Sequence, residues 1–350
     1  MRLLARLRDG HARVNPTSKG ERIRLDDGKR DVSAGMFWCR AGEHVLVKAS
    51  WGKTAELGIK PGMEVVRVDG KPVAKWLDER ISSLADLRSF SSAQHALFAA
   101  CHFGLADDPG TRRTLELLDA AGKKFERTLN YASNQPPPVG PAVMPSGVET
   151  RGDLDVGKLA SGNGYIHLRR SPDDLIAQID DALERLGAVP GLVLDFRGNS
   201  GGGLDHDAFM GRFVPKGEKL ATYASAGEHP YGGPIVVIVD GTVVSAGETL
   251  SGIFKEDGRG YMIGESPTAG MSSHKTTIEL PSGLFTLYVS VASNKARFNG
   301  GRGIEGIGVI PHEIIAFERA DLAAGVDTLI RRADELLAHF PGDQVRYRAR

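Results

Sequence analysis

The sequence lacks any long apolar run. Its apolar groups are far shorter than the ~20 residues that a membrane-spanning helix needs. The first residues are basic at Arg2 and Arg6, but only a short apolar group lies there, whereas a secretory leader needs a longer one. We therefore expect no membrane span and no leader peptide in these residues. The residues alone do not indicate the cellular compartment.

Cysteine is scarce. The 350 residues contain two, Cys39 and Cys101, which are far apart and not in CxxC spacing. This pattern predicts neither a disulfide framework nor a zinc site, although it leaves a single bridge between the two open.

An excess of charge of either sign is also absent, because Lys plus Arg and Asp plus Glu both number 44. A protein dedicated to nucleic acids needs a basic surplus to neutralise phosphates, so we expect no nucleic-acid partner. The composition, 41% hydrophobic and 25% charged, is that of an ordinary globular protein. At this length two domains with separate cores are expected, and the oligomeric state is left open.

The composition changes along the chain in a way that predicts four segments. Residues 1–34 are mostly polar and basic. Residues 35–132 combine short alternating strands, glycine turns and a long helical stretch, which predicts an α+β domain. Residues 133–150 are rich in proline and predict a stiff linker, and residues 151–350 form the fourth segment.

The fourth segment has the pattern of an α/β domain. Two of its predicted strands are almost entirely apolar, as strands buried on both faces are. A helix with one apolar face separates the first two strands, and the order strand–helix–strand favours parallel strands. The predicted strands are residues 164–168, 191–196, 234–239, 276–280 and 284–290, and the predicted helices are residues 172–186, 245–255 and 320–340.

Ser245 is the first candidate for chemistry. It follows a buried strand and a short loop and begins a helix, which places its hydroxyl at the carboxyl edge of the predicted sheet, where α/β sites form. Helix N-terminal N–H groups there favour developing negative charge. The alternative is a purely structural capping box, with Ser245 at the N-cap and Glu248 three residues later. The local pattern leaves both interpretations open, and caps are the commoner of the two.

A glycine-rich turn follows the buried strand that ends at Phe196. Its glycines, among them Gly201 and Gly202, let backbone N–H groups approach a ligand closely. The turn predicts an oxyanion hole or a contact to a substrate strand, with a merely flexible turn as the alternative. A phosphate cradle is disfavoured, because no Lys-Ser/Thr pair follows the glycines.

Other polar side chains give weaker signals. His11 lies in a polar stretch and Glu305 in a glycine-rich turn, and each alone is typical of a surface residue. His95, Cys101 and His102 lie together in a helical stretch. We interpret these three as packing residues, because no further ligands complete a metal site.

Five stretches carry a resemblance, namely residues 55–70, 191–202, 234–248, 264–270 and 303–311. Taken in this order they resemble one family, the group of serine peptidases that contains the C-terminal processing (tail-specific) proteases and the tricorn protease core, and the resemblance covers most of the chain. It implies a PDZ-like peptide-binding domain over residues 35–132 and a serine peptidase core over residues 151–350, with the spiral α/β architecture also found in crotonases.

The family has two catalytic arrangements. In the processing proteases a lysine activates the serine, but here Met271 occupies the lysine's position, and Lys275 is nearby but out of register. The tricorn-type arrangement instead uses a histidine from an N-terminal segment and a glutamate near the end of the chain. Residues 7–11 and 304–311 resemble those two segments, although Gly10 stands where tricorn has a serine.

The resemblance therefore implies that Ser245 is the nucleophile, His11 the general base and Glu305 the carboxylate that orients it. Because an unperturbed histidine has a pKa of ~6.5, activity is expected to rise with pH near that value. The implied oxyanion donors are the backbone N–H groups of Ala246 and of Gly201 or Gly202, and the implied loop for a peptide carboxylate is Gly35, Met36 and Phe37.

The resemblance also implies a peptide or protein substrate and chemistry that needs no metal or cofactor. Family members are often exported, which favours an exported or periplasmic location. Two other functions remain open. A catalytically degenerate peptide- or ligand-binding protein is favoured by Met271, and a crotonase-like acyl-CoA enzyme would leave the PDZ-like segment unexplained.

Overall fold

A computed structural model describes residues 2–19, 31–132 and 140–345 of the chain. Residues 20–30 of the predicted N-terminal segment and residues 133–139 of the predicted linker lie outside the described residues. The described residues form two compact units. Unit 1 comprises those within Met1–Pro138, Ser273–Ser293 and Ala316–Val326, and unit 2 comprises those within Val139–Ser272, Asn294–Ile315 and Asp327–Arg350.

The strands are named here in chain order. They are β1 (Arg13–Pro16), β2 (Met36–Ala41), β3 (His44–Ser50), β4 (Glu64–Val68), β5 (Lys71–Pro72), β6 (Arg112–Leu118), β7 (Lys124–Asn130), β8 (Glu149–Arg151), β9 (Leu154–Lys158), β10 (Gly164–Leu168), β11 (Leu192–Asp195), β12 (Lys219–Leu220), β13 (Tyr223–Ala224), β14 (Ile235–Val239), β15 (Tyr261–Gly264), β16 (Ser273–Glu279), β17 (Phe285–Ser293) and β18 (Glu313–Ile314).

The helices are named in the same way. They are α1 (Arg2–Ala5), α2 (Gly52–Glu56), α3 (Val73–Leu87), α4 (Ala93–Cys101), α5 (Leu175–Leu186), α6 (His206–Gly211), α7 (Ala246–Glu256), α8 (Arg319–Ala323) and α9 (Thr328–Ala338), with a 3-10 turn at Phe103–Leu105. None of the helices within the described ranges is both long and apolar enough to cross a membrane.

Unit 1 contains a sheet of order β2-β3-β4-β6-β7, with β5 paired to β4. Strands β6 and β7 form an antiparallel hairpin in which Leu117 lies opposite Phe125. Leu115 and Leu117 are buried while Glu116 between them is only half-buried, the alternation expected of a strand with one face in the core. Cys39 and Cys101 are both buried in this unit and are not joined by a disulfide.

A second sheet of unit 1 joins distant parts of the chain. Its order is β1-β17-β16, and it contains the predicted hairpin of β16 and β17. Because Arg13 of β1 pairs with Tyr288 of β17, this hairpin groups with the N-terminal residues and not with the rest of residues 151–350. Arg319 of α8 likewise donates to the carbonyls of Gly62 (3.0 Å) and Leu118 (2.9 Å). The contiguous segments predicted from composition are thus interleaved, through contacts between residues far apart in sequence.

Unit 2 is an α/β structure around a mixed sheet of order β18-β15-β14-β11-β10-β9-β8. Strands β10, β11, β14, β15 and β18 are mutually parallel, while β9 is antiparallel to both β10 and β8. The predicted β10–α5–β11 unit is therefore confirmed, and every residue of β11 and β14 is buried. The carboxyl ends of parallel strands share one edge of a sheet, so the loops after β11, β14 and β15 meet there.

Strands β15 and β2 are among those that were not predicted. β15 has four residues, all buried, and is too short for its pattern to distinguish it from a loop. β2 includes Met36 and Phe37, which were expected in a loop; only Gly35 precedes the strand. β2 pairs with β3 through a register shift at Phe37, and that irregularity weakens the period-2 pattern.

Candidate active site

Ser245 lies at the junction between a strand and a helix of unit 2. It is the N-cap residue of α7, and residues 240–244 separate it from β14. Its backbone is left-handed, with φ 56° and ψ −124°, whereas an ordinary N-cap has extended backbone. Such a conformation costs a non-glycine residue about 1–3 kcal/mol. A helix cap gives no reason for that cost, whereas a nucleophile presented on a sharp strand-to-helix turn requires it.

Glu248 connects the start of α7 to the loop after β15. Its carboxylate is fully buried and accepts hydrogen bonds from the N–H of Ser245 (3.1 Å), the hydroxyl of Thr268 (2.6 Å) and the N–H groups of Gly270 (2.7 Å) and Met271 (2.8 Å). Burial raises the pKa of Glu248 to about 7, against these hydrogen bonds, which lower it. The capping box expected at this position is therefore also the anchor of residues 268–271.

Replacing Glu248 with Gln should destabilise the protein. Each carboxylate oxygen accepts two hydrogen bonds, so a Gln amide must turn its NH₂ group toward donors that then have no acceptor. Each such buried group costs about 1–3 kcal/mol, and the free energy of unfolding measured in urea should fall by that amount. Glu256→Gln on the same helix is the matched control, since Glu256 accepts from the Asn299 N–H through one oxygen (2.8 Å), which Gln keeps. Equal losses in the two variants would contradict the anchoring role.

The glycine-rich turn after β11 lies directly against Ser245. A Cβ atom on Gly201 would be 2.8 Å from the Ser245 Cβ, and Gly201 has a φ of 78°, so the turn requires glycine there. Asn199 fixes the turn from both sides. Its carbonyl accepts from the Val244 N–H (3.0 Å), and its Nδ2 donates to the Leu168 carbonyl (2.9 Å). The turn and the loop of residues 240–244 that leads to Ser245 are thus joined by a direct hydrogen bond.

The candidate oxyanion donors differ in their availability. The N–H of Gly201 donates to Asn199 Oδ1 (2.9 Å), so it is already used within the turn. The Ala246 N–H is in the first turn of α7, where N–H groups have no carbonyl partner within the helix. Of the three donors expected from the sequence, the Gly201 N–H is therefore the one that already has a partner inside the turn.

Glu305 lies in a turn that packs on the loop anchored by Glu248. The Gly306 N–H donates to the Gly270 carbonyl (2.7 Å), and the Val309 N–H donates to the Thr268 hydroxyl (2.7 Å). The Oε2 atom of Glu305 is buried. Within unit 2, hydrogen bonds therefore connect the Glu305 turn to the start of α7 through Glu248.

His11 belongs to unit 1, where several contacts fix its backbone. Asp9 is buried and accepts from the N–H groups of His11 (2.9 Å) and Ser290 (2.7 Å). The Gly10 N–H donates to the Ser91 hydroxyl (2.7 Å). The segment that was expected to be a polar surface stretch is therefore held in place by β17 and by the connection between α3 and α4.

The His11 side chain is buried at 7% exposure, and its ring contacts the Tyr288 ring edge-on. Its Nδ1 atom is buried and has no hydrogen-bond partner among the residues that the structure describes. Burial, and next the positive charge of Lys275, lower the pKa of His11 to about 4, partly opposed by Asp9. The expectation of an unperturbed pKa is thus wrong for this histidine, which is neutral at physiological pH and able to accept a proton.

Sequence reasoning missed the charged residues below the glycine turn. The guanidinium of Arg197 donates to Asp195 (2.6 Å) and to Asp327 (2.9 Å), and all three side chains are buried in unit 2. The available signal was Asp195 at the end of an otherwise apolar strand, because charged residues are rarely buried without a partner. The partner Asp327 is more than a hundred residues away, and no local pattern identifies it.

An α/β sheet that presents a serine at a strained strand-to-helix turn, beside a glycine turn, has the arrangement that serine hydrolases use. Residues 162–315 match the family model of peptidase family S41. They include Ser245, the glycine turn and Glu305. The resemblance to this group of serine peptidases is thereby confirmed.

Curated relatives agree with this match. The C-terminal processing peptidase, chloroplastic, of Tetradesmus obliquus is 28% identical over 324 residues, which cover 88% of this chain and 62% of that protein. The carboxy-terminal-processing protease of Bartonella bacilliformis is 28% identical over 200 residues, 52% of this chain and 45% of that protein. The matched part spans less than two thirds of the length of either relative.

The fold is shared with a solved structure, mature CPAF complexed with lactacystin. The two chains are 14% identical and have a TM-score of 0.68, and the match covers 96% of this chain and 87% of that chain. At this identity the likeness shows the fold alone.

Proposed function

We propose that this chain is a serine peptidase that hydrolyses peptide bonds in protein or peptide substrates, with Ser245 as its nucleophile. One observation carries the proposal. A serine adopts left-handed backbone where the loop after a buried parallel strand leads into a helix, and a Cβ atom on the adjacent Gly201 would clash with the serine side chain. The helix N-terminus at this point favours the negative charge that develops during acyl transfer.

We assign His11 as the general base and Glu305 as the carboxylate that orients it. The lowered pKa supports His11, because the neutral imidazole is the form that takes a proton. Its buried Nδ1 also needs a polar partner that the described contacts do not supply. Glu305 is supported by its buried Oε2 and by the hydrogen bonds that tie its turn to Glu248. His11 belongs to unit 1 and Ser245 to unit 2, so their pairing is a prediction for kinetics to test.

The proposed reaction has two half-reactions. As Ser245 Oγ attacks the peptide carbonyl, His11 takes the hydroxyl proton, and the N–H groups of Ala246 and Gly202 stabilise the oxyanion. The proton then passes from His11 to the leaving amine, and the acyl ester of Ser245 remains. Water attacks this ester with His11 as base, which releases the new carboxylic acid and restores the serine.

Labelling with a fluorophosphonate tests the nucleophile directly. We expect stoichiometric modification that mass spectrometry of the digested protein maps to Ser245, competed by peptide substrate. Modification elsewhere, or none in the folded protein, would refute the peptidase function and favour a degenerate binding protein. The degenerate binding protein was favoured because Met271 stands where the processing proteases have their lysine base. With His11 as the proposed base, the missing lysine no longer argues against catalysis.

We further infer that residues 35–132 form a PDZ-like domain that captures the C-terminus of a substrate. β2 is the first strand of its sheet among the described residues, and α4 packs against it. Strand addition to such an edge is how PDZ domains hold a peptide. Gly35, Met36 and Phe37 are the proposed carboxylate-binding residues at the start of this edge. The exported location that the resemblance implies stays a prediction, which fractionation of the host cell would test.

Amidation of the substrate's C-terminus should raise KM more than it lowers kcat. The PDZ-like domain would bind the terminal carboxylate away from the reacting bond, so its loss removes binding that is equal in the ground and transition states. The measurement compares one peptide in its acid and amide forms at several concentrations. A peptide with the same cleavage sequence but without the C-terminal extension is the control, since its amidation should have little effect. Equal KM values for the two long forms would count against this role.

A further inference from the structure

His167 of β10 has two hydrogen-bond partners that only accept. Its side chain is completely buried; Nδ1 lies 2.8 Å from Asp155 Oδ2, and Nε2 lies 2.7 Å from the carbonyl oxygen of Arg197. A neutral imidazole has one N–H, so it would leave one ring nitrogen facing an acceptor without a proton. The doubly protonated imidazolium satisfies both contacts.

A neutral histidine would need a proton on Asp155 instead. Asp155 Oδ1 already accepts from Arg169 Nη1 (2.7 Å) and from the Thr150 hydroxyl (2.6 Å). Burial alone would raise the pKa of Asp155, but hydrogen bonds from His167 and Thr150 lower it below its ordinary value. The guanidinium of Arg169 and the hydroxyl of Thr150 favour the ionised carboxylate independently of His167, which leaves the proton on His167.

The surrounding charges agree with this assignment. Asp155 and Arg169 form one ion pair beside His167, and Arg197 lies between Asp195 and Asp327 on its other side. With a neutral His167 this group, which is buried except for the partly exposed Arg169, would hold three carboxylates and two guanidinium ions. An imidazolium balances the carboxylates, and a buried charge without a partner is strongly unfavourable.

The Arg197 carbonyl is the point at which the glycine turn begins. On the other side of the same peptide unit, the Gly198 N–H donates to the hydroxyl of Thr242, which lies in the loop that leads to Ser245 (2.7 Å). His167 and Thr242 thus hold the two ends of one peptide plane, a few residues before Gly201 and Gly202. A charge-assisted hydrogen bond is roughly twice as strong as a neutral one, so the bond from His167 to the Arg197 carbonyl is the stronger of the two.

We propose that His167 is a buried imidazolium that acts as a positioning residue, fixing the Arg197–Gly198 peptide and thereby the glycine turn beside Ser245. Its catalytic consequence rests on the proposed peptidase function, whereas its charge and its hold on the turn do not. It touches no substrate, so its effect on the reaction passes through the N–H group of Gly202.

The charge can be measured without activity. In protein labelled with ¹⁵N at its ten histidines, both ring nitrogens of His167 should carry protons in the folded protein. Loss of the signals in His167→Gln assigns them. In Asp155→Asn the Asn NH₂ can donate to Nδ1, so His167 should become neutral while both contacts persist. One unprotonated ring nitrogen in the wild type would overturn the proposal.

The role of His167 in fixing the glycine turn can be tested separately, by hydrogen exchange and by kinetics. Hydrogen exchange at the Gly198 amide should be about tenfold or more faster in Asp155→Asn and His167→Gln than in the wild type, and unchanged exchange would overturn the proposal. For peptide hydrolysis, both variants should lose about ten- to a hundredfold in kcat with KM nearly constant. His229→Gln, at an exposed histidine of the same unit, should change neither quantity. A wild type without hydrolysis or Ser245 labelling refutes the peptidase function, and the ¹⁵N and exchange results still decide the role of His167.

Discussion

Ser245→Ala should remove peptide hydrolysis almost completely, with a loss of about a millionfold in kcat, as for other serine nucleophiles. The alanine cannot form the acyl ester, and no other group in the proposed mechanism replaces it. The backbone contribution is retained, because the N–H of residue 245 still donates to Glu248. The free energy of unfolding should therefore fall by about 1 kcal/mol or less.

Ser251→Ala is the matched control for this variant. Ser251 is a buried serine on the same helix, and its hydroxyl donates to the Gly247 carbonyl (2.8 Å), so the change removes the same atom at a position without chemistry. Hydrolysis should persist in it. Urea unfolding and progress curves for both proteins separate loss of fold from loss of reaction. A Ser245→Ala protein that cleaves at the wild-type rate would mean that Ser245 only caps α7.

Much of unit 2 could be predicted from local pattern. The apolar strands β11 and β14 and the amphipathic helix α5 carry strong periodicity, and the order strand–helix–strand restricts the topology to few choices. The start of a helix at Ser245 was also predictable. What the pattern could not decide was whether Ser245 caps or reacts, because that depends on its backbone angles and on how closely Gly201 approaches.

The remaining features depend on contacts between distant residues. The pairing of β1 with β17 and the hydrogen bond that the Ser290 N–H donates to Asp9 join residues more than two hundred positions apart, and they determine the surroundings of His11. Burial and the charge of Lys275 lower the pKa of His11, and no sequence motif indicates that shift. Glu248 was predicted as a cap, but three of its four hydrogen bonds come from residues 268–271.

The pH dependence of kcat/KM should distinguish His11 from Glu248. Protonated imidazole cannot act as a base, so activity should rise with pH through an inflection near 4, the pKa of His11. The Glu248 carboxylate orders residues 268–271 only when ionised, so a second rise should occur near 7. The upper inflection should be absent from Glu248→Gln, while the lower one stays. A single inflection near the ordinary histidine value of ~6.5 in both proteins would contradict the buried, neutral state of His11.

His11→Ala should lower kcat by several orders of magnitude, because it removes the group that takes the serine proton. Glu305→Gln should impair kcat as well, since an amide no longer stabilises the imidazolium that forms during attack. Lys275→Ala should leave kcat at neutral pH nearly unchanged. The lower inflection in the pH profile of the Lys275→Ala variant should move upward from pH 4, because the positive charge of Lys275 is one of the causes that lower the pKa of His11. Lys123→Ala, at an exposed lysine of unit 1, is the control and should keep the wild-type profile.

The comparison of His11→Ala with Lys275→Ala decides the base. An active His11→Ala beside an inactive Lys275→Ala would assign the proton transfer to the lysine, as in the processing proteases, and would leave Ser245 as nucleophile. If both variants are active while Ser245→Ala is inactive, another residue takes the proton. A lysine base would have to lose its proton near neutral pH, far below its ordinary pKa of ~10.4, whereas His11 already has the neutral form that the reaction needs. We therefore expect His11→Ala, and not Lys275→Ala, to lose activity.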